Sequence, residues 1–187
     1  MNNLLKGINV FLIGMMGSGK TTVGKILAQQ LEYRFFDTDV LIERVAGKTI
    51  NEIFACECEG EEYFRELETQ VLGQLSAYTR STISTGGGIV LQQKNWSYLH
   101  YGLIVWLDAP PDLLLERLAE DTTRPLLQDP DRYQKIASIL EHRRSLYAQA
   151  DLHVKIDKSQ TPEEIASQVI EMIPTVLKSN SLPSVDN

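Results

Sequence analysis

The chain has 187 residues, 43% apolar and 23% charged, with a formal net charge of −7. That length and balance describe one ordinary globular domain with a proper core. No run of about 18 apolar residues predicts a membrane span, and the acidic balance argues against a nucleic-acid surface, which needs a broad basic face. If the ligands are anionic, the basic residues that meet them must be few and gathered in a cleft. The opening residues Met1 to Lys6 run straight into an apolar segment and have no signal-peptide character, so a cytoplasmic location is the default expectation.

Short apolar strands alternate with amphipathic helices along the chain, the pattern of a parallel sheet wrapped by helices. The first strand is expected over Asn9–Ile13, followed by Gly14-Met15-Met16-Gly17-Ser18-Gly19-Lys20-Thr21 and a helical pattern from Thr22 to Leu31. This is a complete G-x-x-x-x-G-K-[ST] loop in the required strand–loop–helix setting. Glycines let successive backbone N–H groups turn inward around a phosphate, and the helix N-terminus adds its positive dipole end. Lys20 can reach the β- and γ-phosphates and the Thr21 hydroxyl is suited to Mg²⁺. The loop predicts binding of a nucleoside triphosphate.

A second strand over Arg34–Phe36 leads into Asp37-Thr38-Asp39 and a helix over Val40–Ala46. Ligands of open α/β sheets lie beyond the carboxyl ends of strands, so both carboxylates are expected at the same crevice as the loop. One could hold a metal-bound water and the other accept a proton from an attacking hydroxyl. Equally, Asp39 could simply cap the helix that starts at Val40. Thr49-Ile50-Asn51-Glu52 reads as a capping box. Helix Glu61–Ala77 follows and carries Arg65. Cys56 and Cys58 form a lone C-x-C and, with His100, His142 and His153 scattered, make no metal-ligand spacing; two unbridged thiols and surface histidines are expected.

The third strand, Thr82–Thr85, is followed by Gly86-Gly87-Gly88. Such a run means either close approach of the backbone to something or a turn with positive φ. Further on come helix Lys94–His100, strand Leu103–Leu107 and helix Asp112–Ala119. The polar stretch Glu120–Arg132 lacks periodicity and holds Pro125 and Pro130, and a loop of that length in a compact domain is usually functional or disordered; it contains Arg124-Pro125-Leu126-Leu127. Helix Tyr133–Ala148 carries Arg143 and is followed by strand Leu152–Ile156. A last helix, Pro162–Leu177, starts from Thr161-Pro162-Glu163-Glu164, with Pro174 as a point where it could kink or stop. Residues 179–187 read as a frayed polar tail. Taken singly, Arg65, Arg124 and Arg143 are ordinary surface arginines, although guanidinium groups suit carboxylates and phosphates.

With Asp37-Thr38-Asp39, Phe64-Arg65, Gly86-Gly87-Gly88, Arg124-Pro125-Leu126-Leu127 and Arg143…Tyr147 in order behind the loop, the chain resembles the shikimate kinase family from about Gly7 to Ile173. The resemblance implies a P-loop, nucleoside-monophosphate-kinase-like α/β fold: a three-layer sandwich around a five-stranded parallel sheet of order 2-3-1-4-5. It also implies one kinase domain over 1–178, with a substrate-binding insert near 38–70 and a lid near 119–132. The implied reaction moves the γ-phosphoryl of ATP to the 3-hydroxyl of shikimate with Mg²⁺, on the route to chorismate and aromatic amino acids. By resemblance, Gly17, Ser18, Gly19, Lys20, Thr21 and Thr22 hold the ATP phosphates. Thr21 holds the metal, with Asp37 in its outer shell. Asp39 binds the substrate hydroxyls and takes the proton. Arg65 and Arg143 clamp the carboxylate, with Gly86 and Gly87 against the ring. Arg124 belongs to the lid and, with Lys20, offsets transferring charge, while Arg117, Gln160 and Pro162 surround adenine. A monomer binding ATP and shikimate, without nucleic acid or membrane, is the expected state.

The chain departs from the family pattern at one place. The family's Ile-Phe is followed after three residues by Gly-Glu, whereas here Ala55-Cys56-Glu57-Cys58-Glu59 stands before Gly60-Glu61, two residues longer. Rival functions are gluconate or nucleotide kinases of the same fold, a non-catalytic nucleotide-binding relative, and a GTP-dependent switch. The last would need an Asn-Lys-x-Asp for guanine, which the sequence lacks.

Overall fold

The computed structural model describes residues 5–56, 60–119 and 131–179. Arg124, most of the expected lid and Cys58 lie outside the described residues, as does the chain from residue 180 onward. Five strands form one sheet: β1 (Asn9–Ile13), β2 (Arg34–Asp37), β3 (Ser81–Ser84), β4 (Gly102–Asp108) and β5 (Leu152–Lys155). Their order is β2-β3-β1-β4-β5 and every pairing is parallel. Helices cover both faces. The inner strands of such a sheet are buried on both sides, which is why β1 reads as continuous apolar sequence, while the edge strand β5 alternates buried and exposed residues. Val10, Phe11, Leu12 and Ile13 are fully buried.

The eight helices among the described residues are α1 (Lys20–Leu31), α2 (Thr38–Ala46), α3 (Ile50–Ala55), α4 (Gly60–Ser76), α5 (Gln93–Leu99), α6 (Pro111–Arg117), α7 (Arg132–Tyr147) and α8 (Pro162–Ser179). Both predicted caps are present. Thr49 and Glu52 exchange backbone and side-chain bonds in a capping box, and Thr161 with Glu164 does the same at the start of α8. Pro174 does not end α8, which continues to Ser179. The three histidines are exposed as expected.

One start differs from expectation in a way that matters. Helix α2 begins at Thr38, two residues early, and its N-cap is Asp37, whose Oδ1 accepts the Asp39 N–H at 3.0 Å. Asp39 is therefore not the cap; it sits in the first helical turn. The same elements set the functional edge of the sheet. In a parallel sheet all carboxyl ends fall on one side, so the loop after β1, the Asp37–Asp39 corner after β2 and the glycine run after β3 meet there.

Candidate active site

Gly14, Gly17 and Gly19 adopt positive φ of 140°, 78° and 94°, which any side chain would resist. Gly19 is the N-cap of α1 and brings no side-chain cap, so the first-turn N–H groups face outward as anion donors. Lys20 is buried, and its Nζ donates to the carbonyls of Gly14 and Met15 at 2.9 and 2.8 Å. The ammonium is thus held over the loop it serves. Thr21 Oγ1 donates to Asp37 Oδ2 at 2.7 Å and lies 3.4 Å from Ser84 Oγ.

These residues line a cleft of about 390 Å³. The loop contributes Met16 through Val23. The β2–α2 corner contributes Asp37 and Asp39, the end of β3 contributes Ser84, Thr85 and Gly87, and α6 and α8 add Arg117, Pro162 and Ile165. Arg117 Nη1 reaches the Gly17 carbonyl at 3.3 Å. Gln160 is not among the lining residues: its amide accepts from the Asp157 N–H and donates to Gln168.

The glycine run resolves in favour of close approach, since none of its three members has positive φ. The neighbours are the site's own side chains. A Cβ on Gly86 would lie 2.7 Å from Glu68 Oε1 and 3.0 Å from Asp39 Oδ1, one on Gly87 would lie 3.2 Å from the Met16 nitrogen, and one on Gly88 would collide with the Arg65 guanidinium. Gly86 also donates its N–H to Thr38 Oγ1 at 3.0 Å. The Gly87 carbonyl accepts from Arg143 Nη1 at 3.0 Å and from the Tyr147 hydroxyl at 2.6 Å. Arg65 and Arg143 do not themselves line the cleft; the run they grip supplies its wall.

Two residues of this arrangement carry no predicted role. Glu68 is fully buried and pairs with Arg65 at 2.8 Å, while the exposed Glu61 holds the other Arg65 nitrogen at 3.2 Å. Tyr147 is fully buried on α7. Their sequence signal was helical spacing, with Glu68 three residues after Arg65 and Tyr147 four after Arg143, so each pair shares a helix face.

Burial drives the Glu68 carboxyl above its ordinary value; Arg65 opposes this and the nearby Asp39 carboxylate adds to it. Burial alone would lower Arg65, but Glu68 and Glu61 together raise it. The two partners differ because the Glu68 side chain is 0% exposed and that of Arg65 14%, so desolvation outweighs pairing only on the acid. A raised carboxyl makes the native state bind a proton that the unfolded chain releases. Glu68 therefore stabilises most below its ordinary value of 4.5, and that contribution falls as pH rises through the elevated native value. Unfolding free energies of wild type and Glu68→Gln, followed by urea titration, are expected to diverge as pH rises from about 4 to 8, wild type losing stability relative to the variant. A difference independent of pH would rule out a strained buried charge.

A parallel 2-3-1-4-5 sheet with a P-loop after β1, and with an aspartate corner and a glycine run at the same edge, defines a P-loop phosphotransferase of nucleoside-monophosphate-kinase type. The comparisons then narrow the class. The family model described as shikimate kinase matches residues 16–174. The shikimate kinase of Rippkaea orientalis is 59% identical over 175 residues, covering 94% of this chain and 92% of the relative. That of Nostoc punctiforme is 57% identical over 178 residues, covering 95% and 97%. Among solved structures, shikimate kinase from Acinetobacter baumannii in complex with shikimate has a TM-score of 0.81 at 38% identity, covering 96% of this chain and 98% of that one. The chain belongs to the shikimate kinase family.

Proposed function

We infer that this chain transfers the γ-phosphoryl group of ATP to the 3-hydroxyl of shikimate, a step towards chorismate. The observation that carries the reading is that Asp39 and Gly87 line the same cleft as the phosphate loop, with Arg143 bonded to the Gly87 carbonyl and Arg65 packed against Gly88. An acceptor bearing a carboxylate and several hydroxyls needs a guanidinium clamp for its acid and a carboxylate with backbone groups for its alcohols. A nucleoside monophosphate has no carboxylate for that clamp; gluconate has one, and against it stands the 59% identity to a shikimate kinase over 94% of the chain.

In this reading Gly17 to Thr22 cradle the ATP phosphates, with Arg117 and Pro162 towards the base. Gln160, whose amide bonds Asp157 and Gln168 of α8, holds the turn into α8 on the adenine side. Asp39 takes the proton of the acceptor hydroxyl as its oxygen attacks the γ-phosphorus in line, and Lys20 offsets the charge that passes between the oxygens. Arg65 and Arg143 bind the acceptor carboxylate and so aim the ring. Arg124 adds charge from the lid, whose closure would keep water from competing as acceptor.

Thr21, Asp37 and Ser84 form an all-oxygen cluster with one carboxylate. Among the described residues no group of three or more His, Cys, Asp or Glu side chains makes a metal cage. Mg²⁺, which keeps waters and takes one or two carboxylates beside phosphate oxygens, fits that cluster. Thr21 would hold it directly and Asp37 through water, and when bound it neutralises phosphate charge. Among the described residues no helix is long and apolar enough to cross a membrane, and a cytoplasmic monomer completes the reading.

The test is ADP release with Mg²⁺ and ATP, with shikimate, gluconate or nucleoside monophosphates as acceptor. Release is expected to rise at least about 100-fold above the ATPase background with shikimate alone, consistent with water being a poor rival in a closed site. Equal rates with and without shikimate would overturn the assignment.

A further inference from the structure

The Gly87 carbonyl is held twice over, and its two donors differ in kind. Arg143 is a cation whose guanidinium has donors to share and which the reading above assigns to the acceptor's carboxylate. Tyr147 lies one helical turn later on α7, is 0% exposed, and stacks on Trp106 with ring centroids 5.7 Å apart and planes 21° apart. Its hydroxyl has a fixed direction and a 2.6 Å bond to the carbonyl. A carbonyl oxygen has two lone pairs, so both donors fit at once.

We propose that Tyr147 is a positioning residue: it keeps the Gly87 carbonyl satisfied so that Arg143 can turn its donors to the acceptor's carboxylate without orphaning the peptide. Three observations support this. The remaining contacts of the run are fixed from other directions, Gly86 by Thr38 and the Ile89 N–H by the Gly86 carbonyl, so Gly87 is where α7 grips it. A Cβ at Gly87 would lie 3.2 Å from the Met16 nitrogen, so this peptide is closely packed and its carbonyl has little freedom to find another partner. Burial also holds the Tyr147 phenol above its ordinary value, which keeps it a donor through the working pH range. Without the hydroxyl, Arg143 is the donor left to the carbonyl among the described residues, and each acceptor that binds must break that bond.

The inference rests on the acceptor assignment above, and its test separates the two. Tyr147→Phe keeps the ring and its stacking and removes one oxygen. The KM for shikimate is expected to rise about five- to tenfold, as for a carbonyl left short of a partner, while kcat, the KM for ATP and Tm stay close to wild type. In an Arg143→Ala background the same change is expected to add less than about twofold, since coupled residues are not additive. An unchanged KM for shikimate in Tyr147→Phe, a parallel rise for ATP with a lower Tm, or losses that multiply in the double variant would each overturn the positioning role alone. A wild-type chain that neither binds nor phosphorylates shikimate would overturn this proposal together with the acceptor assignment.

Discussion

Asp39→Asn is expected to lower kcat for shikimate phosphorylation by about 10²- to 10⁴-fold, the range typical of losing a positioned proton acceptor. Affinity for ATP should stay within about twofold. The structure explains why the two parts separate. The capping bond at the start of α2 and the bond to Thr21 both come from Asp37, and the link to Gly86 comes from Thr38. Asparagine is nearly isosteric, so those contacts persist while the basic oxygen is lost. Steady-state ADP release would give kcat, and calorimetric titration of a non-hydrolysable ATP analogue would give affinity. A kcat within tenfold of wild type would remove the proton-acceptor role. Equal losses in kcat and nucleotide affinity would instead make Asp39 a support for the phosphate loop.

Arg143→Ala is expected to act on the other substrate. Removing a charged, potentially paired donor from a carboxylate costs about 2–4 kcal/mol, which corresponds to roughly a 30- to 1000-fold higher KM for shikimate. The KM for ATP should hardly move, because Arg143 bonds the Gly87 carbonyl and has no bond to the phosphate loop among the described residues. Arg143→Lys should recover only part of the loss, since an ammonium cannot reproduce the planar fork. An acceptor KM unchanged in Arg143→Ala would remove the carboxylate clamp from the account. Arg65 would then have to act alone, held as it is between Glu61 and Glu68.

Much of this molecule was legible from residue order. The five strands and the helices between them followed from hydrophobic period, because a strand buried on both faces must be apolar throughout and a helix on its face must be amphipathic. The capping boxes at Thr49 and Thr161 were visible because a cap is a local hydrogen-bond pattern, set by residues three apart. The phosphate loop was visible for the same reason, being one continuous segment whose glycines are needed for its own backbone.

The α2 start was misread because two aspartates in Asp37-Thr38-Asp39 are equally good caps by residue type. The choice fell to Asp37, whose other carboxylate oxygen also meets the Thr21 hydroxyl of a distant segment. With Asp37 as the cap, Asp39 falls in the first helical turn and lines the cleft. The glycine run was likewise ambiguous in one dimension. Its necessity lies in Glu68 and Arg65 on α4 and Asp39 on α2, which pack against it from across the sheet edge. Gln160, which the resemblance sets near adenine, has its amide bound to Asp157 and Gln168, and the reach to Gln168 in α8 was not legible in the sequence.

The division has one physical reason. Features that depend on neighbours within a turn or a strand are encoded where they occur, so the fold class, the capping boxes at Thr49 and Thr161 and the nucleotide loop needed no coordinates. Pairing is different: Glu68 with Arg65 is local, but its burial, its elevated carboxyl and its approach to Gly86 arise when α4 docks on the strand ends. Tyr147 meets Gly87 across 60 residues of chain, and folding alone brings those two atoms together.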